Sequence, residues 1–425
     1  MARPINADLP ASTPPRAKRR PVPGALKGIA GLFALAVVFI VAAIVGGGSS
    51  EEGSSAGPAP APAQSGSDAD ADEAPAADAA ELGFPTFATS NTTRVGGADP
   101  ASNAAGIALA VYPSTNEGQR PNAVTLIGSD DWQAGIAASV LMADPIRAPL
   151  LLAEADALPE PTAQALELLD PRGGKGSRGT QVFAVGEVAT PGGFETTAVK
   201  PAGSAAAAAA IARLRDRLFR RAPEHIVVAS LDQPEFAAPA AAWAARSGDP
   251  VLFTATARLP GATRAYLRRH RNVPVYVLGP SSTISSDTVR EIAKTSEEVS
   301  RVSGEDPVVN AIALARYDDG DFGWNMNDPG HGYVVVRSDS PLDAVAAAPL
   351  SASGTWGAVL LTDGADTLPA ALRGYLLDVK PGYTTDPTRA FYNHVWVIGD
   401  EDAIGVSQQA EIDALAELAK IGGQP

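Results

Sequence analysis

The sequence predicts an α/β protein built as three tandem open parallel-sheet modules, and three observations carry that prediction. First, one order of segments is written three times: its last two strands read 148–152 with 182–186, then 249–254 with 275–279, then 357–362 with 395–399. Second, these strands are short Val, Ile and Leu runs that alternate with alanine-rich helical stretches. That is the pattern of parallel strands joined by crossover helices and buried on both faces. Third, 425 residues exceed one ordinary core and fit about three modules of roughly 100 residues behind an N-terminal region of different composition.

The N-terminal elements come first. Residues 1–27 form a basic tail expected in the cytoplasm, in which Arg3, Arg16, Lys18, Arg19, Arg20 and Lys27 stand against Asp8 alone, a local charge of +5. Residues 28–48 carry no charge, and 29–45 are continuously apolar or small, just long enough to cross the hydrocarbon core as one transmembrane helix. Basic residues stay on the cytoplasmic side, so a single-pass protein is expected, with everything after the span outside the cell membrane. A cleaved secretory signal shares the positive start and apolar middle. The long lead and the exit at Gly46-Gly47-Gly48, in place of an Ala-x-Ala site, favour an uncleaved anchor. Residues 49–91, dominated by Ala, Pro, Ser, Gly, Asp and Glu, are too polar to bury a core and read as a disordered linker. The chain has no cysteine, so stability must come from apolar burial without disulfides.

The modules follow at 92–198, 199–298 and 299–421. Each opens with a segment ending at Gly97, Gly203 or Gly304. The first and third openings are nearly the same, Arg94-Val95-Gly96-Gly97-Ala98-Asp99-Pro100 against Arg301-Val302-Ser303-Gly304-Glu305-Asp306-Pro307, each followed by Asn103 or Asn310. An alanine-rich helix, a buried strand (124–127, 226–229, 333–336) and a second alanine-rich helix come next. After the following apolar strand, a helix starts at Leu158-Pro159, Leu259-Pro260 or Leu368-Pro369. Proline suits a first helical turn because its missing amide hydrogen would have had no partner there.

These residues resemble the bacterial cell-wall-binding repeat type 2 family, whose modules open with Arg-x-x-Gly-x-Asp, continue with a Pro-Ile-Leu-Leu-type strand and close on a Val-Gly-Gly strand end. The resemblance covers about 92–418. It implies three Rossmann/flavodoxin-like modules in a pseudo-threefold arrangement that hold the protein non-covalently on an anionic cell-wall polymer or a peptidoglycan-associated glycan. It makes the opening arginines Arg94 and Arg301, and Asp343 in the acidic helix start Leu342-Asp343-Ala344, candidate ligand-binding residues. The chain departs from the pattern where proline follows Asp99 and Asp306, and where Thr197 or Ala198 stands at the arginine's place in the middle copy. A partner of another kind, a second envelope protein docked on degenerate modules, stays open.

Charge narrows where a polyanion could sit. The formal net charge is −15, which leaves −20 beyond the basic tail and repels an anionic polymer unless there is a local exception. The middle copy supplies one: between Lys200 and Ser300, 14 Lys and Arg stand against nine acidic residues. In the helix from Ser204, Ile211, Leu214 and Leu218 mark the buried stripe, and Arg213, Arg217, Arg220 and Arg221 form a neighbouring one. Arg264, Arg268 and Arg269 repeat the spacing on a later helix. A solvated helix face is the plain explanation of such a run. The sharper one is forked hydrogen bonding from arginine to phosphate or carboxylate on wall glycan.

Signals for catalysis are weak. His225, His270, His331 and His394 each sit shortly before a strand, whereas groups that work in open parallel sheets gather past the carboxyl ends. No Gly-x-Ser-x-Gly elbow or His-x-x-x-His pair occurs. Gly174-Lys175-Gly176-Ser177-Arg178-Gly179 has the spacing of a dinucleotide loop but leaves a helix and enters a strand, the reverse of the working context. Asp318-Asp319-Gly320-Asp321 with Asn325, Asn327 and Asp328 offers oxygen ligands, without the spacing or closing glutamate of a calcium hand. The expectation is therefore an adhesive protein with no enzymatic activity, no cofactor, no metal and no nucleic-acid partner.

Overall fold

The structure is a computed structural model that describes residues 87–200 and 202–422. The basic tail, the apolar span and the linker up to residue 86 lie outside the described residues. Among those described, no helix is long and apolar enough to cross a membrane.

Three separate parallel sheets carry the repeat. The first joins β3 (Val124–Gly128), β4 (Leu150–Ala153), β5 (Val182–Val185) and β6 (Thr196–Val199) in the order β4-β3-β5-β6. The second joins β7 (Ile226–Ser230), β8 (Val251–Thr254), β9 (Val275–Leu278) and β10 (Val299–Val302) in the order β8-β7-β9-β10. In the third, β11 (Gly332–Arg337), β12 (Val359–Thr362) and β14 (His394–Ile398) run in the order β12-β11-β14, and the sheet ends in β2 (Thr92–Val95) and β1 (Phe87–Ala88). A two-stranded ribbon of β13 (Gly382–Tyr383) and β15 (Ala419–Lys420) lies apart. Nearly every residue of the inner strands is buried, as expected of apolar runs covered on both faces.

The strand that opens each sequence repeat adds to the sheet of the repeat before it. β6 pairs with β5, β10 with β9, and β2, the earliest of the three, pairs with β14 of the last repeat. Sequence unit and sheet unit are therefore offset by one strand, and the N-terminal strand closes the set. β1 falls inside the stretch expected to be disordered. It is ordered because β1 and β2 form an antiparallel pair whose turn is fixed by Thr89 N donating to Thr92 O at 2.9 Å and Asn91 N donating to Asp413 Oδ1 at 2.8 Å.

The openings explain how each chain crosses to the next module. Asp99 and Asp306 cap helices α1 (Pro100–Val111) and α9 (Pro307–Arg316), accepting from Ser102 N and Val309 N at 2.8 Å, with Pro100 and Pro307 at the first helical position. Asn103 and Asn310 reach back to accept from Gly97 N and Gly304 N, and any side chain at Gly304 would meet Asn310 N at 2.3 Å. The Leu-Pro prolines differ from the sequence expectation. Pro159, Pro260 and Pro369 sit one position earlier, as N-caps of α3 (Glu160–Leu169), α7 (Gly261–Arg269) and α11 (Ala370–Asp378). An N-cap is extended, here with φ between −52 and −60, which proline's ring already imposes, and its carbonyl starts the helix ladder.

The second helix of each module, α2 (Trp132–Ala138), α6 (Pro239–Ser247) or α10 (Pro341–Ala352), packs against the other two. Alanine and glycine make this approach feasible: a methyl at Gly135 would stand 3.0 Å from Val345 of the third module. One continuous apolar core results across the three repeats.

Candidate functional site

Besides the short helix α5 (Pro234–Ala237) of the second module and the β13–β15 ribbon and 317–331 segment of the third, the modules differ in one further element. Between its last strand and the next opening strand the second carries α8 (Ser286–Ala293) and the third carries α12 (Val406–Ala416), whereas the first has only the loop 186–195. The arginine motif follows this difference. At matching register, Arg301 stands opposite Val277, Arg94 opposite Val397 and Ala198 opposite Ala184. Arg301 donates to the carbonyls of Gly279 and Ile284, the two ends of the turn before α8. Arg94 donates to Gly399 O and Asp400 O at 2.7 Å, to Ile404 O, and to Gln409 Oε1 at 2.8 Å, holding the turn and first coil of α12. Where there is no helix to hold, the position is alanine.

Both arginines proposed from the resemblance therefore spend their donors inside the fold. Arg94 is 1% exposed, and burial lowers its pKa from the ordinary arginine value while Glu401 and Asp400 pull it back up. Asp343 is likewise interior, accepting from Asn103 Nδ2 at 2.9 Å across the seam between first and third modules and from Ser340 Oγ of its own module at 2.6 Å. Burial raises its pKa against those two hydrogen bonds. Arg94 and Asp343 have no face to offer a ligand, whereas Arg301 is half-exposed with both terminal nitrogens engaged by carbonyls.

The missing helix exposes the face it would have covered. On β6, Thr196 and Ala198 are exposed, whereas every residue of β2 is buried. A crevice of about 280 Å³ opens there, lined by Ala198, Val199, Lys200, Ala210, Arg213 and Arg217, between the edge strand and helix α4 (Ser204–Phe219). A second concavity of about 520 Å³, lined by Gly173, Gly174, Lys175, Arg178, Gly179, Leu218 and Arg220, adjoins the C-terminal end of the same helix. The glycine-rich loop thus packs as a wall, with Arg178 donating to the carbonyl of Arg217. Six basic side chains line the two hollows. Lys200 pairs with Glu187 at 2.8 Å, but among the described residues no carboxylate is within ion-pair distance of Lys175, Arg213, Arg217 or Arg220.

The arginine stripe of α4 does not run as far as the spacing suggested. The helix ends at Phe219, where Arg220 turns left-handed at φ 58 with its amide bound to Asp216 O. Arg221 lies beyond it, paired with Glu224. Arg264 is engaged with Glu291 at 2.9 Å, joining α7 to α8, and Arg268 is exposed on α7. The site brings together Arg213, Arg217 and Arg220 and adds Lys200, just after β6, and Lys175 and Arg178 from the glycine-rich loop of the first module. On the buried side of α4, Arg215 is 1% exposed and donates to Gly248 O and Arg221 O at 2.8 Å. Asp216 beside it has a lowered pKa. Burial pushes it up, but His270, Tyr266 and Arg215 together outweigh that push.

The Asp318–Asp328 segment serves as an intermodule clamp. Asp319 Oδ1 accepts from Asp321 N and Phe322 N, while Oδ2 accepts from Tyr276 OH at 2.7 Å. Phe322 stacks on Tyr276 at 3.8 Å and lies 4.4 Å from Trp243, both residues of the second module. The histidines are engaged too: Nδ1 of His225 meets Asp249 at 3.1 Å, and His394 meets Thr93 at 3.1 Å.

Two solved structures share this architecture. Cwp6 from Clostridium difficile superposes with a TM-score of 0.61 at 17% identity, over 77% of this chain and 48% of its own. Cwp8 from the same organism gives 0.59 at 17%, over 77% and 52%. The chain thus spans about half the length of the structures it matches. No protein-family model and no curated protein matches it. At this identity the likeness establishes the fold, a triad of parallel α/β modules.

Proposed function

We propose that this chain is a cell-wall-associated protein that binds an anionic wall polymer in the basic crevice between β6 and α4. One observation carries the reading: a protein of net charge −15 gathers Lys175, Arg178, Lys200, Arg213, Arg217 and Arg220 around two adjoining hollows, with most of them lacking an acidic partner among the described residues. Like charges at close range repel, so such a cluster is destabilising until an anion fills it. The fold match to the cell wall proteins Cwp6 and Cwp8 supports the location. In this reading residues 28–48 anchor the protein in the membrane, N-terminus inside, the linker carries the modules into the wall, and the task is adhesion without a reaction.

The test is co-sedimentation of the Ser67–Pro425 unit with isolated walls, intact or stripped of anionic polymer. Replacing Arg213, Arg217 and Arg220 by glutamine removes three exposed charge contacts of about 0.7 kcal/mol each, so binding should weaken by roughly 30-fold and lose most of its salt dependence. Equal sedimentation of variant and wild type, or indifference to stripping, refutes the polymer. The second result favours an envelope protein as partner, for which the exposed edge strand β6 offers unpaired backbone groups.

A further inference from the structure

Three residues before the second strand of each sheet, the backbone turns left-handed: Arg147 at φ 53, Gly248 at φ 76 and Trp356 at φ 58. Only glycine adopts that conformation without steric cost. The second module uses it, and a side chain there would press on Phe219 at 2.9 Å. The third module keeps a tryptophan instead, 46% exposed, with its amide tied to Leu350 O at the end of α10. The strain is retained for a side chain that contributes little to the core.

The indole has a companion from the neighbouring module. The Arg246 guanidinium lies 4.7 Å from its centroid, reaching across from α6. Among the described residues the Arg246 side chain makes no ion pair and no hydrogen bond, so its forked donors are unclaimed at an exposed position over an indole that is itself 46% exposed. A pyranose ring has an apolar face of C–H groups that stacks on indole. A carboxylate or phosphate carried by the same sugar is what a guanidinium fork recognises.

We propose that Trp356 and Arg246 form a saccharide subsite at the seam between second and third modules, taking a hexose that bears an anionic substituent. The subsite is separate from the basic crevice and holds with or without polymer binding there. The pair reads the ring and the charge at once: the indole supplies the flat surface, and Arg246 the selection for acidic over neutral sugar.

The experiment uses the full chain in a detergent without a sugar headgroup. Tryptophan fluorescence is titrated with N-acetylmuramic acid, glucose 1-phosphate and glucose. The expected result is saturable quenching by an acidic sugar, with glucose weaker by roughly tenfold or more. The better of the two acidic sugars identifies the carboxylate or the phosphate source. Trp356→Gly, which relieves the backbone, should retain the wild-type melting temperature within a few degrees and lose the quenching. Arg246→Gln should bring the acidic sugars down to the level of glucose. The subsite is overturned if no sugar quenches saturably, if Trp356→Gly quenches as wild type does, or if Arg246→Gln keeps the preference. Its failure leaves the wall sedimentation of the arginine triple variant unaffected, so the two readings fail separately.

Discussion

Replacing Arg94 by alanine tests how the last sheet is completed. The side chain makes four interior hydrogen bonds, three to backbone carbonyls and one to Gln409. A hydrogen bond from a charged donor contributes about 1.5–3 kcal/mol alone, but four on one guanidinium are not additive, and the cost of burying the cation, seen in its lowered pKa, opposes them. Removal strands several buried carbonyls, so the loss should be about 4 kcal/mol, near that of breaking a buried ion pair. Arg301→Ala, with two such bonds and a half-exposed side chain, should lose about half as much. Thermal melting of the Ser67–Pro425 unit should fall by about 5–10 °C for Arg94→Ala. Hydrogen exchange should rise first in 92–95 and 399–416, the strand and helix that the arginine joins. A melting temperature within 2 °C of wild type, roughly the effect of a neutral surface change, would refute the structural role and return Arg94 to the list of ligand contacts.

Two further outcomes are expected. Asp343 has a raised pKa, so the folded state holds its proton more tightly than the unfolded state. Stability should fall as pH rises from the ordinary aspartate range through the folded value, and Asp343→Asn should flatten that slope in melting curves taken from acid to neutral pH. Phe322→Ala removes a buried ring stacked on Tyr276, which should cost about 3–5 kcal/mol in urea unfolding and weaken the near-ultraviolet dichroism of the aromatic cluster. An unchanged spectrum would mean that the 317–331 segment is not clamped to the second module.

The strands were legible because apolar β-branched runs buried on both faces leave a continuous hydrophobic signal, and the repeat confirmed each one twice over. The partner of each opening strand was not. A four-residue strand reads the same whichever sheet it joins, and β2 finds its neighbour some 300 positions away, at β14. The motif arginines misled for a related reason, since their acceptors are carbonyl oxygens, which have no signature in the side-chain sequence. Arg215 could have been found: it follows Ile211 by four and Leu214 by one, on the buried stripe. The basic crevice was half legible. Arg213 and Arg217 follow from helical spacing and Lys200 from the connection just before the same helix, but Lys175 and Arg178 reach it only through tertiary packing, and the hollow itself exists because a helix is missing.

The strand β2 sets a number as well as a contact. In an open solenoid each added repeat stacks on the last, and length is free. Here every repeat lends a strand backward, and the first lends its own to the third, so the loan is circular. A fourth copy inserted anywhere would have to widen the circle, and deletion of one would ask two sheets to share a geometry made for three. Gain or loss of a single repeat would therefore break the circle of strand pairings, whereas changes in the loops, the seams and the slot without a helix leave it intact.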